Sequence, residues 1–307
     1  MNEGMRNTLG KKWICLSGLV FCLACSDEIA HEGNMTPLSL AVTIENDLET
    51  KALVESTSFG EGERIGLFVQ GASTVEYEGS TYQNVPYQSY GTSTSQTWQG
   101  ATILLSSAMG RAFAYWPYSD GLPADYTKVP VDLTTQTDWL YSGWNVSLSN
   151  KQPNLTLTMN HALTAIEFDV KRGDYTGTAQ LTGVTMSGAA LGKTGKLNVS
   201  DGSWSEVATG MIGVSGLGIQ LQTSPAMAVK LLAIPISGAE RAFEARFTID
   251  GKVFPISLGC TEDYAAGKKY VYTITLNGQG LSVGEVTVTG WTNSGISETI
   301  DAEIENI

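Results

Sequence analysis

The chain has 307 residues and is acidic, with 18 Lys and Arg against 31 Asp and Glu and a formal charge of -13. An acidic surface repels phosphate backbones and anionic lipid, which argues against nucleic-acid binding. Two His and four Cys leave little from which to assemble a metal cluster or a nucleophile with its base.

Arg6, Lys11 and Lys12 precede a 12-residue apolar run, Trp13 to Ala24, and then Leu23-Ala24-Cys25-Ser26. This is the layout of a secretory signal, and the run is too short to span a bilayer as a helix. A small residue followed by Cys resembles a lipobox, so residues 1–24 are expected to leave and Cys25 to carry the lipid (palmitate). Ser26-Asp27-Glu28 resembles the acidic export tag of surface lipoproteins in some Gram-negative anaerobes. Cys15 and Cys22 would go with the signal, which leaves Cys260 alone and no intramolecular disulfide. The remaining 283 residues, with a charge of about -15, suffice for two ordinary domains.

Residues 25–37, including His31, read as a tether. From Leu38 to Asn46 the chain alternates, with Leu38, Leu40, Val42 and Ile44 on one face and Ser39, Thr43 and Glu45 on the other, a half-buried strand. The segment Asp47 to Glu63 is polar, and its Lys51 is the only Lys or Arg between Lys12 and Arg64. A strand joined to its domain by such a linker is a candidate for proteolytic removal between Lys51 and Ala52.

Arg64 to Val69 reads as a core strand, Tyr77 to Trp98 as irregular strands or long loops, and Ala101 to Leu105 and Arg111 to Tyr115 as further strands. A helical turn is expected only near Thr137 to Ser142, and a first domain, 38–159, closes before Asn160. In the second, 160–307, Ile166, Phe168 and Val170 alternate with charged residues, and Gly173 to Gly195 and Ser200 to Gly218 read as turn-rich connections with short strands. Val229 to Ile236 is apolar on both faces, with Pro235 ending its pairing. Asp250-Gly251 is hairpin-turn chemistry between Phe243–Ile249 and Val253–Leu258, and Tyr270, Tyr272, Ile274 and Leu276 alternate before Asn277-Gly278. Strands at this spacing imply an all-β protein built of sandwiches.

Five segments, Phe59-Gly-Glu-Gly-Glu-Arg-Ile-Gly-Leu-Phe-Val69, Ala112-Phe-Ala-Tyr-Trp-Pro-Tyr118, Asp138-Trp-Leu-Tyr-Ser142, Asn160-His-Ala-Leu-Thr-Ala-Ile166 and Ala266-Gly-Lys-Lys-Tyr-Val-Tyr-Thr-Ile274 followed by Gly290-Trp291, fall in the order seen in fimbrillin-like proteins. The chain resembles these pilus subunits and pilus-associated lipoproteins of Gram-negative anaerobes. The resemblance implies two transthyretin-like β-sandwich domains in tandem, export as a lipoprotein and, for shaft subunits, proteolytic removal of the first strand. Lys51 stands where such proteins carry the cleaved basic residue, commonly Arg.

The C-terminal tail offers a replacement for that strand. Ile296, Ile300, Ala302 and Ile304 share one face of 296–304, a candidate donor strand for another subunit; the same residues also read as the last strand of their own domain. The expected function is a structural subunit of a cell-surface pilus, matured by proteolysis and assembled by strand exchange. Its partners would be other pilus subunits, the outer membrane through Cys25, and a maturation protease. Within the family the alternative is an anchor or tip subunit. From another class it is a surface glycan-binding lipoprotein, with Trp98, Trp116, Trp139 and Trp144 as a sugar-stacking platform for a host or glycan ligand. His161, flanked by Ala162 and Leu163, reads as structural, and no catalytic, cofactor or metal residue is assigned, so an enzyme is not expected.

Overall fold

Turn residues punctuate the chain every few positions and β-branched and aromatic residues fill the intervals, which favours short paired strands over helices. A computed structural model describes residues 34–45, 59–91, 95–238, 241–259, 261–290 and 298–299. Among them are 22 strands and one 3₁₀ turn, so the chain is all-β. The first half contributes β1 (Thr36–Pro37), β2 (Ser39–Ile44), β3 (Arg64–Gly71), β4 (Tyr82–Tyr90), β5 (Thr97–Gly100), β6 (Leu104–Leu105), β7 (Gly110–Trp116), β8 (Val129–Asp132), β9 (Leu140–Tyr141), β10 (Asn145–Leu148) and β11 (Asn154–His161). The second contributes β12 (Thr164–Arg172), β13 (Gln180–Ser187), β14 (Gly192–Leu197), β15 (Trp204–Thr209), β16 (Ile212–Gln220), β17 (Met227–Ala233), β18 (Phe243–Ile249), β19 (Lys252–Leu258), β20 (Lys268–Asn277), β21 (Gly280–Gly290) and β22 (Glu298–Thr299).

One large sheet runs β2-β11-β9-β7-β3-β4-β5, with β10 also on β7. It curls until its two end strands, β2 and β5, lie against each other. Period-two geometry gives β3 and β7 two different jobs. Ile65, Leu67, Val69, Ala112 and Ala114 point into a first core. Phe68, Phe113 and Tyr115 point the opposite way into a second. Phe68 and Phe113 are register partners and their rings stack at 4.5 Å.

The second core lies between the sheets β17-β12-β20-β21-β22 and β16-β13-β18-β19. Phe168 of one meets Phe247 of the other edge-on at 5.2 Å. The halves are stitched together rather than hinged. Strand β8 of the first half pairs with β14 of the second, from Val129↔Leu197 to Asp132↔Thr194. The chain crosses through Ala162 and Leu163, both fully buried; Ala162 N donates to Trp139 O at 2.8 Å, and Trp204 Nε1 donates to Ala162 O at 2.8 Å. The described residues accordingly form one compact unit.

Some stretches match the sequence reading and others differ. Tyr82–Tyr90 is one of the irregular strands expected between Tyr77 and Trp98, with Asn84 at φ 50° and a shifted register against β3, whereas Gly173 to Gly195 and Ser200 to Gly218 carry more strand than the short pieces expected, β13 to β16. Polar and glycine-rich segments are recruited because neighbouring strands satisfy their backbone groups whatever the side chains are. The helical turn falls at Leu133–Thr135, ahead of Thr137 to Ser142, because Asp132 caps it by accepting Thr134 N at 2.8 Å. The Asp250-Gly251 turn forms as read, with φ of 49° and 73°. The Asp250 carboxylate also accepts Ala179 N and Gln180 N, each at 2.9 Å, and the Thr178 hydroxyl. Led by the Thr178 hydrogen bond, these donors hold it well below the usual carboxylate range.

Candidate assembly site

The run from Thr36 to Glu45 is hydrogen bonded to two different parts of the first half. Its start pairs antiparallel with β6, Thr36 opposite Leu105 and Pro37 opposite Leu104, and Leu38 N donates to Ile103 O at 2.9 Å. One residue later the partner changes. Ser39 N donates to Pro153 O at 2.9 Å, and β2 then runs parallel to β11, from Ser39↔Asn154 to Ile44↔Met159. Glu45 N closes the ladder on Met159 O at 2.9 Å. This short run bridges two otherwise separate edges and closes the wall of the first core.

Alternation fixes its orientation. Leu40, Val42 and Ile44 are buried, at 9%, 6% and 7% exposure, while Ser39, Ala41 and Thr43 are exposed. The partner strand places Leu155, Leu157 and Met159 in the same core. Strand β2 ends the sheet. Its loss would uncover the β11 edge along Asn154–Met159, the short edge at Ile103–Leu105, and the apolar floor between them. The alternation of Leu155, Leu157 and Met159 is visible in the sequence, but their pairing with the first strand was not foreseen.

Cys25, Lys51, Ala52, Ile296, Ile300, Ala302 and Ile304 lie outside the described residues, as do His31, Cys260 and Trp291. Of the candidate donor strand, Glu298 and Thr299 are placed, antiparallel on the outer edge of β21 opposite Val288 and Thr287.

The four tryptophans divide between the two cores. Trp98 meets Phe59 edge-on at 5.0 Å, and Trp116 packs on the same core with Nε1 donating to Glu63 Oε2 at 2.9 Å. Trp139 stacks on Tyr115 at 6.3 Å, and Trp144 packs edge-on to Phe113 at 4.4 Å beneath the Arg111 guanidinium. Burial pushes the Tyr115 hydroxyl up to about 12, and the group donates to Asn84 Oδ1 at 2.8 Å. A cavity of about 360 Å³ opens beside the foot of β2, lined by residues that include Asn145, Ser147, Lys151, Gln152 and Asn154 and by no aromatic ring. His161 Nδ1 lies 2.6 Å from Asp138 Oδ2, so the ring ties the crossing between the halves to the segment that precedes β9. Among the described residues no group of three or more His, Cys, Asp or Glu is placed to hold a metal ion. The arrangement offers strand edges and apolar surface, the means of assembly by pairing.

Residues 50–291 match the fimbrillin-like family. The chain is 23% identical over 302 residues to a Bacteroides uniformis protein named "Putative fimbrium subunit Fim1C", covering 94% of this chain and 98% of that one. Among solved structures, a "putative cell adhesion protein" from Bacteroides uniformis superposes with a TM-score of 0.63 at 22% identity, over 83% of this chain and 99% of that one. A fimbrial protein from Bacteroides vulgatus gives 0.50 at 15% identity, over 83% and 99%. At these identities the structural likeness establishes the shared fold.

Proposed function

The chain belongs to the fimbrillin-like family, and from that premise we propose that it is a pilus subunit exported as a lipoprotein on Cys25, cut between Lys51 and Ala52, and polymerised by strand exchange at the cell surface. The observation that carries this reading is the bonding of Thr36–Glu45. A strand at the end of its sheet that bridges two edges and supplies three buried side chains leaves, when removed, a groove already shaped for an extended replacement. Such a groove aggregates unless another strand fills it, and the tail segment carrying Ile296, Ile300, Ala302 and Ile304 has matching alternation. In this reading 38–159 and 160–307 are two domains. The first core belongs to the first half alone, while the second takes Phe68, Phe113, Tyr115 and Val131 from it as well, so the stitched seam makes the two a stiff unit. A head-to-tail contact of this kind does not close on itself and so builds a filament.

The test is a pair of variants expressed on cells. Lys51→Ala should leave a longer, membrane-held monomer, and deletion of Asp301 to Ile307 should leave secretion and cleavage intact while preventing polymer. A ladder of multimers from the first would remove cleavage at Lys51 as the maturation step. A ladder from the second would remove the tail as donor.

A further inference from the structure

Strand β17 ends its sheet and pairs only with β12 among the described strands. Its sequence, Met227-Ala-Val-Lys-Leu-Leu-Ala233, is apolar at every position but one. An open edge of this kind is a template for another chain. In antiparallel pairing a residue directs its N–H and C=O to the same side, so Leu232 and Ala228, an even number apart, present theirs alike. At Leu232 both groups are taken. Leu232 N donates to Gln136 Oε1 at 2.6 Å, and Gln136 Nε2 donates back to Leu232 O at 3.2 Å. The carboxamide thus reproduces the donor and acceptor pair of one residue of a neighbouring strand.

Its placement is not incidental to the local chain. Gln136 caps the 3₁₀ turn in the left-handed region, φ 51°, a conformation unfavourable for a residue with a Cβ. Its backbone N–H donates to Leu133 O at 3.1 Å, and Nε2 also donates to Leu133 O at 2.8 Å. Both ends of the side chain are held, and the contact spans 96 positions of sequence between the two halves.

We propose that Gln136 is a built-in edge stopper, whose carboxamide occupies the outer edge of β17 and prevents a second copy of this chain from adding a strand there. The stopper stands on its own geometry. Its value to the protein, confining strand addition to the groove beneath β2, rests on the strand-exchange reading above.

The test uses the full chain carrying Lys51→Ala, so that β2 stays in place and polymerisation through its groove is not in play. In this chain amide hydrogen exchange should be slow at Leu232 and fast at Ala228. Equal rates would mean that the stopper is open in solution and would overturn the proposal. Gln136→Met keeps the side chain's length and removes both bonds. It should speed exchange at Leu232 by about tenfold and bring concentration-dependent dimers into sedimentation profiles where the parent stays monomeric. Gln136→Glu keeps the acceptor for Leu232 N but loses the donor, and should show the same two effects in smaller degree; it serves as the readout if the Met variant does not fold. Unchanged exchange at Leu232, or faster exchange with a monomer throughout, would each refute the role.

Discussion

Val42 is the most deeply buried side chain of the strand proposed to leave, at 6% exposure, with the buried Leu157 as its register partner. Val42→Ala removes two carbons from the core, about 1.6 kcal/mol at ~0.8 kcal/mol per group. A cavity penalty adds to this, but β2 ends its sheet and the wall can partly collapse, so the total is about 2 kcal/mol. For a chain of this size that lowers the thermal midpoint by about 3 to 4 °C. Circular dichroism of the Lys51→Ala chain, with and without Val42→Ala, measures the shift, and Thr43→Ala on the exposed face is the control. The same substitution has a second consequence. In a chain nicked after Lys51 the first strand is retained only by non-covalent bonds, and about 2 kcal/mol less retention means release roughly 30-fold easier. Size-exclusion chromatography with mass spectrometry of the nicked protein reads the fraction of strand still bound. A midpoint for Val42→Ala within a degree of the Thr43→Ala control would refute the idea that β2 is an integral wall of the first core.

Cys25→Ser should abolish labelling by a fatty-acid analogue and leave a precursor with its signal uncleaved; normal processing would exclude Cys25 as the lipidated residue. Asp250→Asn should flatten the acid limb of stability. The folded carboxylate titrates below its unfolded value of about 4, so its contribution is present above that pH and fades as the pH falls below it. Urea midpoints should drop less steeply below about pH 4 in the Asn variant than in the parent, and parallel curves would show that the three donors on Asp250 contribute nothing to acid stability.

Much of the architecture was legible because period-two alternation and turn chemistry are local. Leu40 to Ile44, Ile166 to Val170 and Tyr270 to Leu276 each lie in strands with the expected face inward, and Asp250-Gly251 forms its tight turn. The five segments resembling fimbrillin-like proteins likewise contain the residues of the seam, among them Phe113, Tyr115, Trp139, His161 and Ala162. Alternation states which face of a strand is buried, but it carries no information about the strand that lies beside it. Only the folded chain decided that the first strand changes partner between Leu38 and Ser39, that β2 runs parallel to β11 more than a hundred residues later, and that β8 leaves its own half to pair with β14. The same holds for Gln136, which nothing in the sequence sets apart from other polar residues and which becomes a substitute strand because Leu232 is folded against it. Backbone donors and acceptors are alike at every residue, so partner and register are settled by how whole faces pack, which is a property of the assembled core.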